Sequence, residues 1–358
     1  MRVVVQLTPP GRGAIATLLI EGRGALAAVA AECRTPSGRP LAATAGDRPR
    51  LVRFGPEPAE EVVLDVQGED RVELDCHGGP SVVDRILERL AARDCETIDW
   101  RDWAQRSQAD PIAAAALAAL AAASTFRTAA ILLDQYRGAL REALQATEAD
   151  LAAGRTAAAR RGLQALADRA GLGRHLVAAW RVVVAGPPNA GKSTLTNALL
   201  GYRRALVHPT PGTTRDLVTA STAIEGWPVE LVDTAGLGEA EHPLERAGIA
   251  LAERELAAAD LVLLVFDRSR PFSAADEALR TRWPDALAIQ NKSDLPPGEP
   301  RAAGLEISAL SGQGLENLLA AIARRLVPEV PEAGAAVPFS EEQIAEIARM
   351  IEELTKGE

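Results

Sequence analysis

The chain has 358 residues, 47% of them hydrophobic, enough for buried cores in two or three domains. With 39 basic against 49 acidic residues, its net charge of −10 argues against bulk attraction to nucleic acid and leaves only local patches for that role. The three cysteines, Cys33, Cys76 and Cys95, are odd in number and share no ligand spacing, which speaks against a disulfide framework or a zinc site and fits a reducing cytoplasm.

The N-terminus lacks the uninterrupted apolar region of a signal peptide, because Pro9-Pro-Gly11 breaks it. Residues 1–107 read as an α+β domain, with strands near Val3–Gln6, Ala14–Ile20, Leu51–Phe54, Val62–Val66 and Val72–Asp75 and helices near Gly24–Ala31 and Ser81–Arg93. Its first two strands are joined by Thr8-Pro-Pro-Gly-Arg-Gly13, either a tight turn or an anion-contacting loop. Asp75-Cys-His-Gly-Gly-Pro80 precedes a helix, so the amides of Gly78 and Gly79 could receive an anion, although a strand-to-helix turn needs the same glycines. His77 has no partner of matching spacing to make it a metal ligand.

Residues 108–178 turn helical: Ile112–Ala123, then Phe126–Leu151, then Ala157–Ala170 closing at Gly171. The first of these is too short and alanine-rich to span a bilayer, and no membrane segment is expected. The bundle reads as a rigid connector.

Residues 179–328 carry the chemistry. Gly186-Pro-Pro-Asn-Ala-Gly-Lys-Ser193 follows the apolar run Val182–Ala185 and opens into Thr194-Leu-Thr-Asn-Ala-Leu-Leu200, the strand, glycine loop and helix that a phosphate-binding loop requires. Gly186 and Gly191 let the backbone curl so that the amides around Asn189, Ala190 and Thr194 face a phosphate at the positive end of a helix. Lys192 is placed to reach the β- and γ-phosphates and Ser193 to hold Mg²⁺. Pro211-Gly-Thr-Thr-Arg-Asp216 supplies switch threonines, with Thr214 the better Mg²⁺ ligand and Thr213 the alternative. Asp233-Thr-Ala-Gly236 ends the strand Val229–Val232, giving Asp233 as a second metal anchor and Gly236 as a γ-phosphate sensor.

Asn291-Lys-Ser-Asp294 follows the strand Ala286–Ile289, so the Asp294 carboxylate can accept from both N1–H and the exocyclic amine of guanine. Adenine offers neither arrangement and would leave the carboxylate unpaired. Ser308-Ala-Leu310 follows the strand Leu305–Ile307 and fits the loop that closes over the base through Ser308 and Ala309. Lysine usage agrees: of three lysines, Lys192 and Lys292 fall inside these motifs while basic positions elsewhere default to arginine. Together these elements predict an α/β P-loop, Ras-like domain binding GTP or GDP with Mg²⁺ and hydrolysing GTP. Residues 329–358 form a proline-rich linker and a final amphipathic helix, capped by Ser340 and expected to pack back on the bundle.

The strings Thr8 to Ala16, Cys76-His-Gly-Gly-Pro80, Gly186 to Ser193 and Pro211 to Asp216 resemble the MnmE (TrmE) tRNA-modification GTPases, and the order of domains is similar along nearly the whole chain. The resemblance implies an N-terminal domain that binds a formylated tetrahydrofolate and dimerises, and G domains that pair across their nucleotides in a potassium-dependent way. It also implies a flavoprotein partner, MnmG, with which such proteins modify carbon 5 of the wobble uridine of tRNA. Leu237 stands where Ras-like GTPases carry a water-orienting glutamine. The resemblance assigns K⁺ coordination to Asn189 and water orientation to Glu245, which on its own reads as a surface acid at a helix N-terminus. Two departures set this sequence apart. No cysteine follows Cys95, so the family's terminal Cys-x-Gly-Lys motif has no counterpart in Leu354-Thr-Lys-Gly-Glu358, and the segment after the Cys-His-Gly-Gly helix is reduced to Trp100–Ser107 and a short link. The alternative reading is a regulatory or RNA-assembly GTPase switch without modification chemistry.

Overall fold

A computed structural model describes residues 1–43, 48–201, 218–233, 254–299 and 303–356. It divides into two compact units, Met1–Ala114 and Ala115–Glu358.

The first unit contains β1 (Arg2–Gln6), β2 (Ile15–Glu21), α1 (Ala25–Glu32), β3 (Cys33–Arg34), β4 (Arg50–Phe54), β5 (Glu60–Gly68), β6 (Arg71–His77), α2 (Pro80–Ala91), β7 (Cys95–Thr97) and α3 (Trp100–Ser107). The strands form one sheet in the order β3-β4-β5-β6-β2-β1-β7, in which β1 and β7 pair parallel and the other neighbours antiparallel. Alternate residues such as Leu18, Ile20, Val62, Leu64, Val72 and Leu74 point to one face and are buried with Leu26, Val29, Val83 and Ile86 of α1 and α2. Glu32 is buried there with its carboxylate held by Arg89 and Arg93. The β2–β6 register sets Ile15 opposite His77, which joins the two glycine loops: Gly13 N donates to Gly78 O at 3.1 Å and Gly78 N to Ala14 O at 3.1 Å. A Cβ at Gly78 would lie 2.6 Å from Gly13 O, so only glycine permits this approach.

Helix α4 (Pro111–Ala122) carries the chain across the boundary between the units. The second unit then continues with α5 (Phe126–Tyr136), α6 (Ala139–Ala152), α7 (Thr156–Ala167), α8 (Ala170–Arg174), β8 (Trp180–Ala185), α9 (Lys192–Gly201), β9 (Val218–Ile224), β10 (Trp227–Asp233) and β11 (Leu261–Asp267). It ends with α10 (Ala274–Arg282), β12 (Leu287–Asn291), β13 (Leu305–Glu306), α11 (Leu315–Leu326) and α12 (Glu341–Lys356). The sequence pattern predicts a single helix over Phe126–Leu151, but the structure breaks it at Gly138, whose φ of 115° a helix cannot continue. Likewise the segment expected to run from Ala157 to Ala170 is split at Asp168–Arg169 into α7 and α8. The reduced segment Trp100–Ser107 is a helix capped by Asp99, which accepts from Arg101 N at 2.8 Å.

The second sheet runs β13-β12-β11-β8-β10-β9, parallel throughout except for β9 against β10. Strands β8 and β11 are near-continuous apolar runs because the sheet is covered on both faces. One face packs Val182, Val184, Leu263, Val265 and Ile289 against Leu195 and Leu199 of α9 and Leu318 and Ile322 of α11. The other buries Val262, Leu264 and Phe266 against Phe272 and Trp283. Strand β8 sits between β10 and β11; the chain leaves β8 into α9 on one face and leaves β11 into the segment 272–283 on the other, the strand-order switch at which α/β sheets place ligands.

The linker is tied to the helices. Gln135 is fully buried; its amide donates to Ile131 O and Ala335 O at 2.9 and 3.0 Å, and its carbonyl accepts from Val337 N at 3.1 Å. Helix α12, opened by reciprocal bonds between Ser340 and Gln343, packs along α7, where Arg160 donates to Leu354 O at 3.2 Å. Gln135→Leu should leave the Val337 N–H and Ala335 carbonyl without partners and destabilise this unit by about 1–3 kcal/mol. Thermal denaturation of the variant checks this, and an unshifted transition would show that the linker is held by other contacts.

Candidate nucleotide-binding site

The residues singled out from the sequence gather at the carboxyl edge of the second sheet, since each lies at or just beyond a strand end: Gly186–Ser193 after β8, Asp233 closing β10, Asn291 closing β12 and Ser308 after β13. The loop after β8 is shaped by close approaches. Gly186 has a φ of 143°, and a Cβ there would lie 2.1 Å from Val265 O. Gly191 has a φ of 91°, and its Cβ would lie 2.4 Å from the side-chain nitrogen of Asn291. Between them Asn189 adopts φ 60°, a left-handed conformation that asparagine tolerates better than most residues, and its side chain is exposed. Lys192 folds back over the loop, its ammonium donating to Gly186 O and Pro187 O at 3.0 Å each. Ala190 is buried, whereas Ser193 and Thr194 are exposed in the first turn of α9, where amide N–H groups lack intrahelical partners. Asp233 is only 7% exposed and lies in register with Val184, two residues before the loop begins.

Asn291 joins the two halves of the site. Only 2% exposed, it donates from Nδ2 to Ala190 O at 2.9 Å and accepts at Oδ1 from Ala309 N at 2.9 Å. One side chain thereby holds the glycine loop against the Ser308–Leu310 loop. Ser293 N donates to Ile307 O at 2.9 Å, and Ser308, fully buried, accepts from Ser311 N at 3.1 Å, so the turn and loop are braced a second time. Asp294 projects from this turn and is exposed. Thr213, Thr214, Gly236, Leu237 and Glu245 lie outside the described residues.

Asp267 belongs to this constellation but escaped the sequence reading. It closes β11 after the apolar run Leu261–Phe266, the same signal that marks Asp233. Its Oδ2 lies 2.7 Å from the Lys292 ammonium, and its Oδ1 accepts from Ser269 N and Oγ at 3.0 and 2.6 Å. Burial by itself pushes the Asp267 carboxyl up, but the bonds from Lys292 and Ser269 and the charge of Lys292 outweigh it and hold the pKa below the ordinary aspartate value.

The donors suit hard cations, since Ser193 offers a hydroxyl in the first turn of α9, Asp233 a carboxylate at the end of β10 and Asn189 an amide oxygen in the glycine loop. Among the described residues, no cluster of three histidine, cysteine or acidic side chains could hold a metal by itself.

Residues 181–292 match a family model described as 50S ribosome-binding GTPase. Along almost its full length the chain is 34% identical to a tRNA modification GTPase MnmE of Thermus thermophilus, covering 98% of this chain and 88% of that protein. The chain belongs to the MnmE family. The MnmE of Magnetococcus marinus is 33% identical, covering 94% of this chain and 83% of its own, and that of Alkalilimnicola ehrlichii 35%, covering 87% and 79%. Among solved structures, Aquifex aeolicus Era matches at 28% identity with a TM-score of 0.33, covering 45% of this chain and 60% of its own. As an MnmE-family chain the protein is a mixed α/β GTPase using GTP or GDP and Mg²⁺. None of its described helices is long and apolar enough to cross a membrane.

Asn291→Ala should release both the Ala190 carbonyl and the Ala309 amide, leaving two buried groups unpaired at about 1–3 kcal/mol each. The expected outcome is a lower thermal midpoint that GDP restores only in part; a midpoint and GDP affinity equal to those of the parent would remove Asn291 from its bridging role.

Proposed function

We propose that this MnmE-family protein hydrolyses GTP to GDP and phosphate and couples that cycle to modification of carbon 5 of the wobble uridine in tRNA. The nucleotide part of the reading is supported by the bridge from Asn291 to both Ala190 and Ala309, and the tRNA part by the 34% identity to the MnmE of Thermus thermophilus over 98% of the chain. The amides of the Gly186–Thr194 loop and the first turn of α9 receive the phosphates, and the Lys192 ammonium, held over the loop by two carbonyls, is within reach of them. Asp294 accepts from N1–H and the exocyclic amine of guanine, with Lys292 in the same turn and Ser308 and Ala309 closing over the base. The residues that would hold Mg²⁺ are Ser193, Asp233 and Thr214, with Thr213 the alternative, and Asn189 would hold K⁺; when bound, the two cations neutralise phosphate charge. Gly236 senses the terminal phosphate, and Glu245 orients the attacking water, a task that Leu237 in the neighbouring motif lacks the polar atoms to perform.

In this reading the chain divides into an N-terminal domain over 1–107, a helical domain over 108–178, a G domain over 179–328 and a returning segment over 329–358. The joined glycine loops at Gly13 and Gly78 support a formylated tetrahydrofolate site in the first of these. The protein acts in the cytoplasm as a homodimer, with tRNA and an MnmG-like flavoprotein as partners.

Phosphate release should be faster in potassium than in sodium chloride of equal concentration by on the order of tenfold or more. Equal rates would remove Asn189 from cation binding. Lys192→Ala should weaken GTP binding by on the order of a hundredfold, because a charge-assisted bond to phosphate is lost. Unchanged affinity in a titration would overturn the site.

A further inference from the structure

We propose that Asp267 is a positioning residue for guanine-nucleotide binding, acting by clamping the Lys292 side chain in the base-binding turn before any nucleotide arrives. The inference rests on the GTPase reading above and adds a residue to it. The backbone brings the two together, because Asp267 and Asn291 are in register on β11 and β12, and Lys292 follows directly. Lys292 has a φ of 66°, a conformation that strains any residue carrying a Cβ. Bonds on either side hold it there: Arg268 N to Asn291 O at 2.9 Å, Ser293 N to Ile307 O at 2.9 Å and Leu295 N to Lys292 O at 3.0 Å. With its backbone fixed, the lysine stem still has four rotatable bonds, and the carboxylate 2.7 Å from its ammonium removes that freedom.

The carboxylate is itself oriented. One oxygen takes both donors of Ser269 and the other faces Lys292. Its side chain is 10% exposed and that of Lys292 30%, so the pair is sheltered compared with the bridge from Arg270 to Asp267, where the arginine is 69% exposed and 3.6 Å away. A lysine already immobilised loses less side-chain entropy when a base and ribose pack beside it, which favours the bound state. Asp267 needs no contact with the nucleotide to act in this way.

The test is a double-mutant cycle on the full chain with GDP as the probe, read by calorimetric titration. Asp267→Asn should raise the GDP Kd about tenfold, and the KM for GTP in parallel, while turnover at saturating GTP changes by less than about twofold. In a Lys292→Ala background the same change should add less than about twofold, because the clamped group is gone. An undiminished tenfold loss in that background would show that Asp267 acts on the fold and overturn the proposal, as would an unchanged Kd for Asp267→Asn. Should Asp267→Asn prove insoluble, Ser269→Ala provides the measurement, with an expected rise of about threefold that also depends on Lys292. A parent protein that fails to bind GDP would overturn the GTPase reading itself, an outcome separate from those for the variants.

Discussion

The second unit depends on one buried carboxamide. Asn291 satisfies a carbonyl in the phosphate loop and an amide in the base loop, and a buried polar group left unpaired costs about 1–3 kcal/mol. The glycine requirement at Gly191 follows from it, because the Asn291 nitrogen occupies the space that a Cβ would take. Gly186 answers to the same packing from the other side, pressed against Val265 O of the neighbouring strand. The loop is therefore shaped by the sheet edge behind it as much as by the phosphate it is built to receive.

Parallel pairing explains why the chemistry collects where it does. Strands β8, β10, β11 and β12 are mostly apolar and buried under two layers, so most of their polar side chains lie toward the strand ends, and Glu230 within β10 accepts from Arg181 of β8. Asp233, Asp267 and Asn291 are each the last residue of a strand; Asp267 and Asn291 are in register, and Asp233 is level with Val184 of β8, so all three face the carboxyl side of the sheet at different heights. Gln135 anchors the returning linker by the same means as Asn291, one buried carboxamide answering backbone groups from a distant segment. In both places one buried side chain links backbone groups of two segments, beside further bonds such as Ser293 N to Ile307 O and Arg169 to Ala336 O.

The residues that the structure gathers at the sheet edge could be picked out in the sequence because their motifs are constrained at fixed spacing: two glycines, a lysine and a serine, then a strand ending in Asn291-Lys-Ser-Asp294. Asp267 was not, since one aspartate at a strand end carries no motif and its importance lies in a partner 25 residues away. The bridging by Asn291 was equally hidden, for spacing identifies the residue without revealing that it points at Ala190. Among the elements, the strands of the first unit follow their alternation closely. Strand β7 spans three residues, too short for periodicity to register, and the Gly138 break lies within a helical pattern whose apolar spacing continues across it. Thr214 and Glu245, which the proposal sets at the Mg²⁺ ion and the attacking water, lie outside the described residues.

The claim that the GTP cycle serves tRNA is tested most directly by nucleoside mass analysis of tRNA from a strain lacking this gene, compared with its parent. The account predicts loss of the C5-modified wobble uridines, restored by the intact chain and not by the Lys192→Ala variant. A modification profile identical in the two strains would contradict it and leave a GTPase whose output lies elsewhere.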